Sequence, residues 1–300
     1  MKIWFDAVPD LPGCWPLTAA RRLGDCRVAN HRVADWQLQE LRDAGLALAR
    51  ASEEADAVAA GNAWITQADW QAFAAQPTAT GLVDAGGELL AWRPGIGSEN
   101  VAAAHGSRLI RYAWDLLAIN ETLVGGLRAS KILGDLSPHA HVDGVLVLGK
   151  GSRVLPGVVI EGRVLVGDNC KIGPNCYLRG NTSIGDHCHI GQAVEIKNSL
   201  LETRVNVGHL SYVGDSLLAE RVNFGAGTIV ANLRHDGAHH HSLVAGERVD
   251  TGRRKFGCVV GDGCHTGIHT AIYPGRKLGV DSSTRPGAVV REDVADGQMV

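Results

Sequence analysis

The chain has 300 residues, 45% of them hydrophobic, and a formal net charge of −3, which is enough apolar material for one large or two ordinary domains. No long run of one charge sign offers a footprint for nucleic acid or an anionic membrane, and no stretch approaches the roughly 18 apolar residues of a membrane span. The opening MKIWFDAVPDLPGCW has no apolar signal core, so a cytoplasmic protein with small or soluble partners is expected.

In chain order, the first predicted strand is Lys2 to Phe5. Val33, Trp36, Leu38, Leu41, Leu46 and Leu48 then recur at roughly helical spacing, predicting a surface helix over residues 33 to 48 with one buried face. Further strands are expected at Trp64 to Thr66, Gly81 to Asp84 and Leu89 to Trp92, the last two joined as a hairpin through Ala85, Gly86 and Gly87. Together these predict a small α+β domain over residues 1–105. A linking helix is expected between 107 and 131, within a linker spanning 106–134. Its apolar Leu109, Ala113, Leu116, Leu117 and Leu123 would pack on the C-terminal domain and cover an open end of it.

From residue 135 to 300 a six-residue rhythm takes over. Leu148, Val154, Ile160, Val166, Ile172, Leu178, Ile184, Ile190 and Ile196 are aliphatic without a miss, and after a slip of phase Val260, Thr266, Ile272, Leu278, Thr284 and Val290 resume the beat. A period of six is neither helical nor that of a lone strand; it is the signature of a parallel β-helix with three hexapeptides per coil. Glycine follows the aliphatic residue at positions such as Gly149, Gly167, Gly191 and Gly267, where a corner with positive φ is expected. The 38 glycines fit this demand for turns. Five of the seven cysteines (Cys170, Cys176, Cys188, Cys258 and Cys264) fall two places before the aliphatic position, as small packing residues rather than disulfide or metal partners. Residues 231 to 258 interrupt the repeat, and His239, His240 and His241 within them read as a solvated loop rather than a metal site.

The segments VEIKNS (194–199), VGHLSYVGD (207–215), VNFGAGTIVANLRHDG (222–237) and RRKFGCVVGD (253–262) are dense in polar residues inside the repeat. They resemble the acetyltransferase domain of the bifunctional enzymes that make UDP-N-acetylglucosamine. The stretches VDTGRRKFG and YPGRKLG are most similar to the archaeal-type sugar-1-phosphate nucleotidylyltransferase/acetyltransferases. The resemblance covers about residues 107 to 300.

It implies a left-handed β-helix that assembles as a homotrimer with active sites between subunits, and transfer of an acetyl group from acetyl-CoA to an amino-sugar phosphate such as glucosamine 1-phosphate. It also implies direct transfer, without an acyl-enzyme or a metal. Matched residue by residue, His209 corresponds to the general base and Asn232 to a residue near the reacting amine. Arg179, Glu195, Lys197, Tyr212, Asn223 and Lys255 correspond to sugar-phosphate ligands, and Ala226, Ile268 and Arg285 to coenzyme A contacts. Imidazole suits the base role because its ordinary pKa lies near neutrality.

The sequence also departs from the family. The segment RVANHRVADWQLQELRDAGL resembles part of the nucleotidyltransferase domain, but a lysine-proline pair is replaced by His31 and Arg32, and the glycine-rich phosphate loop is missing from WFDAVPDLPGCWPLTAARRL. A shortened remnant without uridylation is therefore expected. Leu233 stands where bacterial enzymes have tyrosine and Ile268 where they have serine, and the chain reaches Val300 without their basic C-terminal arm. Two alternatives stay open: a nucleotidylyltransferase with a compact N-terminal domain, and a sugar-phosphate-binding trimer without catalysis.

Overall fold

The computed structural model describes residues 1–95 and 100–300. The chain forms two compact units. The first comprises residues 1–11, 23–25 and 31–111; the second comprises residues 12–22, 26–30 and 112–300.

The first unit is built on a six-stranded mixed sheet in the order Ala47–Leu48, Lys2–Phe5, Ala57–Ala59, Leu89–Trp92, Gly81–Val83, Val101–Ala103. The hairpin expected between residues 81 and 92 is present and antiparallel. Helix α1 spans Val33–Asp43, shorter than the 16 residues the apolar spacing predicts. Gly45 adopts φ +75° and its N–H bonds the Arg42 carbonyl, which ends the helix, as glycine at this position commonly does. Leu48 therefore lies in a strand paired to Ile3 rather than on the helix. A second helix, α2 (Gln67–Ala74), is not signalled by the apolar spacing; Thr66 caps it by accepting from the Asp69 N–H.

The second unit is the parallel β-helix. All nine aliphatic residues from Leu148 to Ile196 lie in its core, as do Val260, Thr266, Ile272, Leu278, Thr284 and Val290. Register sets the coil length: Val154 pairs Ile172, one coil of 18 residues, whereas Ile190 pairs Val207, a coil of 17. The shorter coils explain the slip of phase. Each fully buried aliphatic side chain contributes roughly 1.5–3 kcal/mol through removal from water.

Of the glycines that follow the beat residue, Gly173 has the positive φ expected, at +94°, but most have a different reason. Gly167 and Gly191 do not have positive φ; instead a Cβ on Gly191 would come within 1.8 Å of the Gly208 carbonyl oxygen in the next coil, and one on Gly167 within 2.3 Å of Asp186. Close approach of stacked coils excludes a side chain there. The left-handed corner positions are taken by residues such as Asn169, His187 and His269.

All seven cysteines are free and buried, and the five in the coils share the hexapeptide position but not one corner. Cys170 and Cys188 stack directly, with the Cys188 N–H donating to Cys170 Sγ at 3.4 Å, while Cys258 lies against Ser216. Burial pushes the thiols of Cys176 and Cys258 up to about 12, so both stay protonated.

Helix α3 (Ala113–Gly125) lies along the side of the coils, not over an open end as its apolar spacing suggests. Buried Asn120 fixes it: its Oδ1 accepts from the Ala29 N–H at 3.0 Å and from Ser183 Oγ at 2.7 Å. The interruption at residues 231–258 contains a two-stranded hairpin, His241–Val244 with Glu247–Asp250. Beyond it the coil register resumes, with Leu218 paired to Val260.

Candidate active site

Parallel stacking brings residues far apart in sequence onto neighbouring rungs. Arg179 pairs Lys197 in register, and Tyr177, Glu195, Tyr212 and Ile229 form the adjacent column. Adjacent rungs stand about 4.8 Å apart. Two cations so placed repel each other unless each is compensated. Both are: Arg179 donates to Glu195 Oε1 through both Nε and Nη2 at 2.7 Å, and Lys197 Nζ donates to both oxygens of Asp215 at 2.7 and 3.0 Å.

Asp215 is the hub. It is 2% exposed and also accepts from Asn198 Nδ2 at 3.0 Å and Asn232 Nδ2 at 2.5 Å. Asn232 further donates to the Tyr212 phenol oxygen at 3.0 Å. Burial, reinforced by the Asp215 charge, pushes the Tyr212 phenol up, so it stays protonated and can serve as a donor at neutral pH. Behind Asn198, Glu121 of α3 accepts from Asn198 Nδ2 at 2.6 Å and from the Arg253 guanidinium. Arg179, Glu195, Lys197, Tyr212 and Asn232 thus form one connected polar surface. Lys255 is exposed beside it, in an isolated antiparallel bridge with Leu233.

Sequence reasoning missed Asp215 and Glu121, although VGHLSYVGD and YAWDLLAINE contain them. An aspartate after glycine reads as a turn residue, and Asp215 does have φ 51°. Its burial comes from coils stacked above and below, which local sequence does not reveal.

His209 lies around the corner from this surface. It ends the strand Asn206–His209, pairs Gln192, and is exposed; its ring makes no hydrogen bond among the described residues. The residues matched to coenzyme A contacts rise above it coil by coil. The His209 carbonyl accepts from the Gly227 N–H, the Ala226 carbonyl from the His269 N–H, and the Ile268 carbonyl from the Gly287 N–H. Ile268 is 51% exposed, and the Arg285 backbone passes directly over Gly267. Asn223 sits on a different sheet from the Arg179 cluster, between Asn206 and His265. One chain therefore does not bring Asn223 together with Arg179 and Lys197.

The histidine run is not the uniformly solvated loop expected. His240 is 2% exposed and its Nε2 lies 3.0 Å from the Asn232 carbonyl, whereas His239 is exposed beside Asp250. Burial lowers the His240 pKa, favouring a neutral ring that packs behind Asn232.

Residues 160–294 match the GMPPB C-terminal domain. The bifunctional sugar-1-phosphate nucleotidylyltransferase/acetyltransferase of Sulfurisphaera tokodaii is 40% identical over 186 residues, covering 62% of this chain and 46% of that protein. The chain is similar to these bifunctional enzymes over about 62% of its length. A Methanococcus maripaludis protein called bifunctional protein GlmU is 41% identical over 191 residues, 64% of this chain and 46% of its own length. The chain thus spans about half the length of the curated relatives it matches. Among solved structures, the UDP-N-acetylglucosamine acyltransferase of Campylobacter jejuni is similar at 14% identity and a TM-score of 0.35, over 55% of this chain and 70% of that one. No helix among the described residues is long and apolar enough to cross a membrane.

Proposed function

We propose that the chain is a coenzyme A-dependent N-acetyltransferase acting on an amino-sugar phosphate of the glucosamine 1-phosphate kind. The observation that carries this reading is the pairing of Arg179 and Lys197 on neighbouring rungs, each held by a carboxylate and bordered by Tyr212 and Asn232. Two prepositioned cations suit a phosphate, which the guanidinium can meet with a planar fork. Tyr212, Asn232 and Glu195 supply donors and acceptors for sugar hydroxyls. The names of the archaeal relatives point the same way.

In this reading His209 takes the proton from the sugar amine as its nitrogen attacks the thioester carbonyl. The tetrahedral intermediate then collapses with coenzyme A thiolate leaving. The column Ala226–Ile268–Arg285 would carry the pantetheine arm along the coil axis. A homotrimer accounts for Asn223: a neighbouring subunit can complete what one chain separates. Exposed Ile229 and Val289, stacked outward in one column with Ala271 between them, offer apolar surface for that contact. The test is release of coenzyme A thiol from acetyl-CoA with a panel of amino sugars and their 1-phosphates. Turnover confined to a phosphorylated amino sugar is expected; no turnover on any acceptor overturns the proposal.

A further inference from the structure

A second polar pocket opens beside the 241–250 hairpin and includes none of the residues assigned to the amino sugar or coenzyme A. It encloses about 420 Å³ and is lined by Arg234, Arg248, Arg276 and Arg291 with His241 and Ser242 among its remaining walls, and no carboxylate lines it among the described residues. Four guanidinium groups around one cavity are unexpected in a chain whose net charge is −3. Of the four, only Arg234 has a carboxylate partner among the described residues, Asp236, which lines the adjoining cavity and not this one. Arg276 reaches the His241 carbonyl at a marginal 3.5 Å, and Arg291 lies 6.0 Å over the Tyr273 ring.

A second observation points to a ligand. Ser242 is 1% exposed, yet its Oγ has no hydrogen-bond partner among the described residues, and neither has the buried His241 Nδ1. Buried polar atoms are almost always satisfied, so two orphans on one basic pocket mark a place where something else supplies the partner. An adjoining cavity of about 520 Å³ shares Arg234, Tyr273 and Pro274 and continues over Ala231 and Leu233, an apolar floor walled by His235 and by Asp236, whose charge Arg234 compensates.

We propose that this double pocket binds a nucleoside diphosphate group. The phosphates lie among Arg248, Arg276 and Arg291 and accept from Ser242, and the uncharged nucleoside rests on Leu233, Tyr273 and Pro274. Such a group can come from a free nucleotide or from the diphosphate of coenzyme A, and the two are separable. Isothermal titration of the whole protein with ADP and with inorganic pyrophosphate reads the site without any acyl transfer. Arg248→Gln combined with Arg291→Gln removes two exposed side chains, so the fold is kept, as an unchanged thermal midpoint will verify. Both ligands should bind the native protein, and the double variant should weaken each at least tenfold. Arg204→Gln, an exposed arginine elsewhere, should change neither. Leu233→Asp should weaken ADP more than pyrophosphate. If coenzyme A displaces ADP, the co-substrate is the source; if it does not, a free nucleotide is. Absence of ADP and pyrophosphate binding, or equal loss in the Arg204→Gln control, overturns the proposal.

Discussion

The Lys197 ammonium donates to both carboxylate oxygens of Asp215, with 14% and 3% of the two side chains left exposed. The pair stands in the middle of the candidate site, so it serves both stability and placement. Removing one partner strands the other charge in a poorly solvated position, a change that typically costs about 3–5 kcal/mol. Asp215→Ala should therefore unfold at markedly lower urea. Arg179→Gln, which breaks a pair about one-third exposed, should cost under about 1 kcal/mol.

The core of the coils makes a sharper contrast. Leu178 is fully buried in the aliphatic stack, and Leu178→Ala should destabilise by about 2–5 kcal/mol in chemical denaturation. Val159, one coil earlier and 38% exposed, should tolerate alanine within about 0.5 kcal/mol. Equal effects would show that the register is wrong.

Acid stability should depend on Asp69 in the first unit. Burial pushes its pKa upward, but bonds from the His105, Gly106 and Ser107 N–H groups and from Ser107 Oγ outweigh that and hold it below its ordinary 3.8. A folded-state pKa below the unfolded one means that the unfolded chain binds the extra proton first. The contribution is thus fully present above about pH 4 and is lost as pH falls through the lowered value. Asp69→Asn should be less stable at pH 7 and lose less on acidification, measured by denaturant midpoints between pH 2 and 7.

The opening segment WFDAVPDLPGCWPLTAARRL carries no glycine-rich phosphate loop to match the nucleotidyltransferase chemistry of the relatives' names. With UTP or dTTP, a sugar 1-phosphate and magnesium, this chain should release no pyrophosphate above background. Steady release would restore the compact nucleotidylyltransferase reading.

Much of the fold is legible in the sequence, for an identifiable reason. The aliphatic beat from Leu148 to Ile196 is a local pattern, and each of its residues is buried where the beat places it. The features that resist reading are set by neighbours distant along the chain. Asp215 owes its burial and partners to Lys197, Asn198 and Asn232 on other coils, and His240 is buried by a hairpin that returns past Asn232. Gly45 is a local stop signal that the apolar spacing masks: Leu46 and Leu48 fit the helical period, yet the chain has already turned into a strand. Gly167 and Gly191 stand where the repeat places them, but φ is not their reason, because the atoms they avoid belong to the next coil.

The most direct test of the central claim is the rate of coenzyme A release from acetyl-CoA and glucosamine 1-phosphate by the native protein and by His209→Ala. Loss of a general base typically costs about 10²–10⁴-fold, so kcat should fall by at least 100-fold while KM for the sugar phosphate, set by Arg179 and Lys197, changes little. A His209→Ala protein that turns over at the native rate would contradict the account.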